Sequence, residues 1–391
     1  MTPSPVPAHA TRSDGAVPAA PSNGVVPAAP SAARGHDAAA PAALPAHVPL
    51  AVQSRGGLVE SVHYGSIAAT GSPDAGGSIL WQAGDPGPFY PRSALKPLQA
   101  VALVRAGLRL EDRLLALAAA SHSGGPEHRD GALEILRLHG LGPSALANTT
   151  DLPYGAAERE AWLRASGGPD QLCQNCSGKH AAMAAVCTLN DWPIAGYLDP
   201  AHPLQRLVAA TVAELTGETP EAWSTDGCGT PVPAVTLAGM ARAYGLIARA
   251  AAGTGARAHD GDAVHPGAEA AVGRLSPEAA VGRAMRTHPE MVAGEDRDVT
   301  ALMRVLPGAV AKDGFEGVQL VGLPDGRALA LKVADGGDRA RMPITVRALA
   351  ALGVPEALDG GALVPLARPV VLGGGRPTGS LVALDDAFPA Q

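Results

Sequence analysis

Strand patterns at the two ends of the chain, with helices between them, constrain the fold more than any other feature. Gly57 to Thr70 and Ser78 to Gly84 read as two strands around a Gly/Pro/Asp turn. Far along the chain, Gly317 to Leu323 and Arg327 to Ala334 form the clearest hairpin, closed by Pro324-Asp325-Gly326. Between them the apolar period is helical. Leu95, Leu98 and Ala102 follow Arg92-Ser93-Ala94, with Pro97 tolerable only in a first turn. Leu133, Ile135 and Leu136 lie between Pro126 and Gly140, and Leu204 to Leu215 is stopped by Gly217. Further helices are expected from about Pro233 to Ala250, after Ser276-Pro277-Glu278, and from Met342 to Leu352. Leu114 to Ala120 is an apolar, strand-like run. This order predicts one α/β domain, a mixed and mainly antiparallel sheet joining the two ends with helices packed around it.

The globular part is expected over 48–391. Residues 1–47 are Ala, Pro, Ser and Gly with almost no large apolar side chain, too little to offset ordering entropy, so that tail is expected to be disordered. It has no apolar h-region and does not read as a signal peptide. Residues 251–274 read as a flexible insertion, and the segment after Leu352 as a loose Gly/Pro tail. The net charge of −7, without a basic run, argues against nucleic acid as a partner. No apolar stretch is long enough for a membrane span. The four cysteines, Cys173, Cys176, Cys187 and Cys228, are too few for a disulfide framework and favour a reducing, cytoplasmic setting. Cys187, inside an apolar run, reads as core.

Chemistry concentrates in four places. Cys173-Gln174-Asn175-Cys176-Ser177-Gly178-Lys179-His180 puts two thiols, an amine and an imidazole in eight residues, ahead of an Ala-rich helix for which Ser177 is a plausible cap. A helix N-terminus lowers thiol pKa values nearby, and Gly178 would let the backbone turn these groups together. The Cys-x-x-Cys suits zinc, but a closed site needs four ligands, and Cys228 or a histidine would have to complete it. An open metal site and a redox pair remain alternatives. Ser93 and Lys96, three apart at a helix mouth, share a face, and a lysine amine can activate a hydroxyl. The same spacing also suits a cap serine and a surface lysine. Ser121-His122-Ser123 lies at the end of an apolar run, as either a catalytic edge or a hydroxyl-rich turn. Lys312 precedes the hairpin and reads equally as a solvated lysine.

Taken together, Arg92-Ser93-Ala94-Leu95-Lys96-Pro97, Ala120-Ser121-His122-Ser123, the cysteine stretch, Thr225-Asp226-Gly227-Cys228, Met291-Val292-Ala293-Gly294-Glu295 and Leu331-Lys332-Val333-Ala334-Asp335-Gly336 resemble the thermolabile, Rhizobium-type L-asparaginases, over about residues 50–355. The resemblance implies a serine β-lactamase/glutaminase-like fold, a homodimer, and hydrolysis of L-asparagine. It implies Ser93 as nucleophile with Lys96 as its base, and Ser121 with Lys312 as a second Ser–Lys pair. It implies zinc on Cys176, Lys179 and Cys228, with Arg92, His180 and Asp226 lining the site. Two other classes stand beside this reading: a serine amidohydrolase acting on another amide, and a non-catalytic zinc-binding relative. The Ser-Asp-Asn and Lys-Thr-Gly motifs of β-lactamases are absent.

Overall fold

A computed structural model of the chain describes residues 44–253, 275–358 and 360–389. Most of the tail expected over 1–47, and the insertion from 254 to 274, lie outside the described residues. The strands are β1 (Val48–Arg55), β2 (Leu58–Thr70), β3 (Ile79–Ala83), β4 (Trp223–Thr225), β5 (Pro231–Pro233), β6 (Val310–Gly314), β7 (Val318–Gly322), β8 (Ala328–Val333), β9 (Val370–Gly373) and β10 (Arg376–Ala383). Eight of them form one sheet in the order β6-β7-β8-β2-β1-β10-β9, with β3 also on β2; β4 and β5 pair separately. The pairings are antiparallel. The long strand β2 organises the sheet. Its first half pairs with β1, and its second half is held between β3 and β8, with Ile67 opposite both Ala83 and Leu331.

The sheet joins the two ends of the chain as expected, through Ala51 opposite Ala383. It does so with strands that the sequence reading missed. The presumed loose tail contains β9 and β10, joined at Gly374 and Gly375, whose φ values of 56° and 77° make the tight turn. A Gly-rich stretch looked structureless because its two glycines are the turn itself.

The helices are α1 (Lys96–Arg105), α2 (Asp112–Ala118), α3 (Pro126–Leu138), α4 (Ala156–Arg164), α5 (Ser177–Leu189), α6 (Pro203–Thr216), α7 (Leu237–Ala252), α8 (Pro277–Thr287), the single turn α9 (Pro289–Val292), α10 (Asp298–Val305), α11 (Arg341–Ala351) and the single turn α12 (Val364–Ala367). The run ending at Ala120 is therefore helix α2, not a strand. Leucine and alanine without β-branching favour a helix, and burial alone does not separate the two. Several ends behave as their residues predict. Gly217 closes α6 at φ 69°, and Ser276 caps α8 through Ala279 N–H.

Strands β6 and β7 are buried along their whole length, and α7 packs on β2, β7 and β8 while α11 packs on β1, β8 and β10. Helix α5 has no polar face: every residue from Ser177 to Cys187 is buried. It runs through the helical half of the core, against α2 and α3. Gly178 is needed there for space rather than for turning. A Cβ on it would stand 2.4 Å from Leu117 Cγ and 2.6 Å from Leu117 O.

Candidate active site

A short 3₁₀ turn, Arg92–Leu95, leads into α1, and Pro97 sits in the first helical turn. Arg92 has φ 52°, the left-handed region that costs a non-glycine residue about 1–3 kcal/mol. This turn is backed by β6, the edge strand of the sheet. A Cβ on Gly314 would fall 2.6 Å from Pro91 O and 3.2 Å from Ala94 N, so only glycine lets β6 approach so closely. Ser93 and Lys96 are both buried at this helix mouth.

Lys96 Nζ donates to Ser121 Oγ at 2.8 Å and to Asn175 O at 3.4 Å. The hydroxyl–amine couple in the structure is thus Lys96 with Ser121. The couples expected from the resemblance, Ser93 with Lys96 and Ser121 with Lys312, are not hydrogen-bonded to each other here. Spacing along one helix cannot anticipate a partner brought in from another loop. Ser93 Oγ makes no hydrogen bond among the described residues, and it lines a narrow cleft together with Ser121, Tyr154, Asn175 and Arg297.

The Ser121 loop is pinned by its backbone. Ser121 N–H donates to Val292 O, His122 N–H to Asn175 O, and Ser123 N–H to Ala293 O. The Met291–Glu295 block therefore serves as the rail on which Ser121 is mounted. His122 Nε2 pairs with Ser177 Oγ at 2.9 Å, and its ring stacks on His128. Burial first, then neighbouring His128 and Lys96, holds the His122 imidazole neutral.

Lys312 lies on β6, fully buried, and donates to Asp313 O at 2.9 Å and to Asp313 Oδ1. Burial lowers its pKa to about 8, partly opposed by Asp313 and helped by Lys96. Asp313 also binds Arg297, and this cation company, against its own burial, keeps the carboxylate ionised. Lys312 is thus a buried amine in a charge cluster and not a solvated side chain.

The thiol cluster adjoins this site. Lys179 Nζ donates to Cys228 Sγ at 3.1 Å and to Thr230 Oγ1 at 2.7 Å, and Cys176 Sγ to Asn175 Oδ1 at 3.2 Å. His180 is buried behind them, with Nδ1 on the Tyr197 hydroxyl at 2.8 Å and Nε2 3.4 Å from Thr230 Oγ1. Burial, then Lys179, lowers the His180 pKa to about 4. His180 therefore supports the cluster from behind and does not line the Ser93 cleft. Arg92 Nε donates to Asp226 Oδ1 at 2.7 Å and so ties the Ser93 turn to the Cys228 loop. Asn175 ties the two groups from the other side, its carbonyl on Lys96 and its amide oxygen on Cys176. Ser93 and Cys228, far apart in the chain, belong to one neighbourhood.

Two details of the cysteine stretch differ from expectation. Cys176, not Ser177, occupies the N-cap of α5; it makes no side-chain cap bond, and Ser177 turns to His122. Nor is the thiol at the helix mouth the acidified one. Cys176 and Cys228 push their pKa values apart, that of Cys176 up and that of Cys228 down, each chiefly through the other. All four cysteines are free thiols; Cys173 is buried with its pKa raised mainly by burial, and Cys187 is core, pushed up to about 11 by burial.

Among the described residues no three His, Cys, Asp or Glu side chains gather as a metal cage. A metal held by Cys176 and Cys228 would take its third protein ligand from Lys179, whose amine already touches Cys228. Two thiols and an amine, the amine 3.1 Å from one of the sulfurs, are a donor set that suits zinc once their protons leave. Burial opposes charge on Lys179, but the facing Cys228, Cys176 and Asp226 outweigh it and raise its pKa. Tyr154 and Arg297 escaped the sequence reading because each stands apart from the stretches singled out, and Asn175 and Asp313, next to Cys176 and Lys312, were given no role there; for Arg297 the dense charge of Glu295-Asp296-Arg297-Asp298 was the one available signal.

The L-asparaginase II family matches this chain over residues 51–383, most of its length and the whole of the site. The chain belongs to the L-asparaginase II family. As a member of that family it has an asparaginase-type amidohydrolase activity. Among curated proteins none matches the chain. No helix of the described residues is long and apolar enough to cross a membrane.

Proposed function

We propose that this family member hydrolyses the side-chain amide of L-asparagine to L-aspartate and ammonia, with Ser93 as the nucleophile. One observation carries the reading: a hydroxyl free of hydrogen bonds, on a strained turn, faces a small cleft beside the Lys96–Ser121 couple.

In this mechanism Ser93 Oγ bonds to the amide carbon and its proton passes to the Lys96 amine. Backbone N–H groups at the helix mouth hold the resulting oxyanion. The C–N bond then breaks, and the Lys96 ammonium returns the proton, through the Ser121 hydroxyl, to the leaving nitrogen as ammonia forms. Water next attacks the acyl-enzyme, giving its proton to Lys96, and aspartate leaves with Ser93 restored. Lys312, whose pKa burial lowers to about 8, would serve as a second proton relay beside Ser121. Zinc, when bound, would be held by Cys176, Lys179 and Cys228 and would supply Lewis-acid charge for orienting the substrate near Arg92 and Asp226. A serine β-lactamase/glutaminase-like ancestry, a homodimer and a cytoplasmic location belong to the same proposal and rest on the resemblance. Ser93→Ala is expected to remove ammonia release from asparagine, by roughly 10³-fold or more, with the circular-dichroism spectrum unchanged. Wild-type rates in that variant would refute the nucleophile.

A further inference from the structure

The cleft contains a second guanidinium that the mechanism above leaves unemployed. Arg297 lies at the N-cap of α10, and its fork is held from two sides. Nη2 donates to Asp313 Oδ2 at 2.5 Å, and the guanidinium lies over the Tyr154 ring, 4.7 Å from its centroid. That ring in turn meets the edge of Phe315, with centroids 5.5 Å apart. Nη1, the other arm, is buried and has no hydrogen-bond partner among the described residues. A buried, rigidly mounted donor without an acceptor is a group whose partner arrives with a ligand.

Ion pairing supports the same conclusion. Asp313 is shared between Arg297 and Lys312, while Asp338, which also lines the cleft, pairs with Arg341. Arg92 differs. Its Nε is committed to Asp226, and its Nη1 stands 4.0 Å from Glu316. Of the two arginines, Arg297 is the one with a buried donor left without an acceptor. An arginine fork is matched to a carboxylate, and a fork fixed in advance by stacking loses little freedom on binding one.

Resting on the asparaginase reading, we propose that Arg297 Nη1 binds the α-carboxylate of the substrate while the side-chain amide lies at Ser93. The site then accepts a free amino-acid amide and rejects asparagine whose carboxylate is masked, as it is inside a peptide. Specificity comes from an unpaired buried donor, which penalises any substrate lacking the acceptor.

The test measures ammonia release from L-asparagine and from its α-methyl ester, in which only the side-chain amide can yield ammonia. Wild-type enzyme should prefer the free acid by about 10²-fold in kcat/KM. Arg297→Gln should lose about 10²-fold on asparagine, chiefly in KM, and less than about threefold on the ester. Arg297→Lys, which keeps the charge but not the fork, should fall between. Equal use of acid and ester by the wild type would overturn the assignment without any variant. So would an equal loss on both substrates in folded Arg297→Gln, because Arg297 would then act only by holding Asp313. Absence of ammonia from both substrates would refute the asparaginase reading itself. Aspartate binding by calorimetry would then decide the carboxylate site: measurable in wild type and weakened at least tenfold in Arg297→Gln supports it, and any other pattern overturns it.

Discussion

Two buried lysines, Lys312 and Lys179, carry the same chemistry in two adjoining regions and hold their protons differently. Their exposures are 0 % and 1 %, so burial alone cannot separate them. Burial is the largest influence on both and disfavours the ammonium in each. Lys312 faces a carboxylate already shared with Arg297, and it also feels Lys96; its pKa falls to about 8. Lys179 faces two sulfurs, one of them the acidified Cys228, and its pKa rises. Neighbours, not depth, decide which amine gives up its proton. The Ser–Lys side is thereby suited to proton transfer, and the thiol side to holding charge.

If the two regions are separable in this way, substitutions should affect one readout at a time. The largest effect is expected on the Ser–Lys side. Lys96→Met should lower kcat by roughly 10²–10⁴-fold, with bound zinc, measured by mass spectrometry, unchanged. Loss of metal in that variant would mean that the regions are one unit. On the thiol side, Cys228→Ser should remove metal and raise KM for asparagine roughly tenfold, with kcat within a few-fold of wild type. A collapse of kcat with KM preserved would put the metal inside the chemical steps and break the comparison.

The smallest effect concerns pH. The neutral Lys312 amine can relay protons, so kcat should rise with pH through about 8. Asp313 raises the proton affinity of Lys312, so Asp313→Asn should move that limb to lower pH. A limb moved to higher pH, or left in place, would remove Lys312 from the profile. Stability has its own sign. The folded state binds the Lys312 proton less tightly than the unfolded state does, whose lysine stays near the ordinary value of 10.5. Between about 8 and that value the unfolded chain carries more protons, so the Lys312 contribution to stability grows as pH rises across that window.

Much of this was legible in the sequence because it is local. Ser93, Lys96 and Pro97 lie within one turn, and Cys176, Lys179 and His180 within another, so a short window displays both. The proline told where α1 begins, and the hairpin at Pro324-Asp325-Gly326 told where β7 turns into β8. What failed was whatever depends on the third dimension. Lys96 turned to Ser121 because α1 points that amine across the core at a loop mounted on Val292 and Ala293. The Leu114–Ala120 run was ambiguous in period, and helix propensity settled it. The edge strand β6 hid because Val310–Gly314 is buried on both faces and shows no alternation. Arg297 and Tyr154 belong to no motif at all; only the cleft relates them.

The pairing of β1 with β10 has a topological consequence. Leu384 N–H donates to Leu50 O at 2.9 Å, so the chain enters and leaves the sheet at neighbouring points. A short loop could splice these two ends, with a fresh start cut at Gly375. In such a circular permutant β10 would lead directly into β1 as an ordinary hairpin. Every ladder contact of the two strands would survive, while the first and last words of the polypeptide would be rewritten.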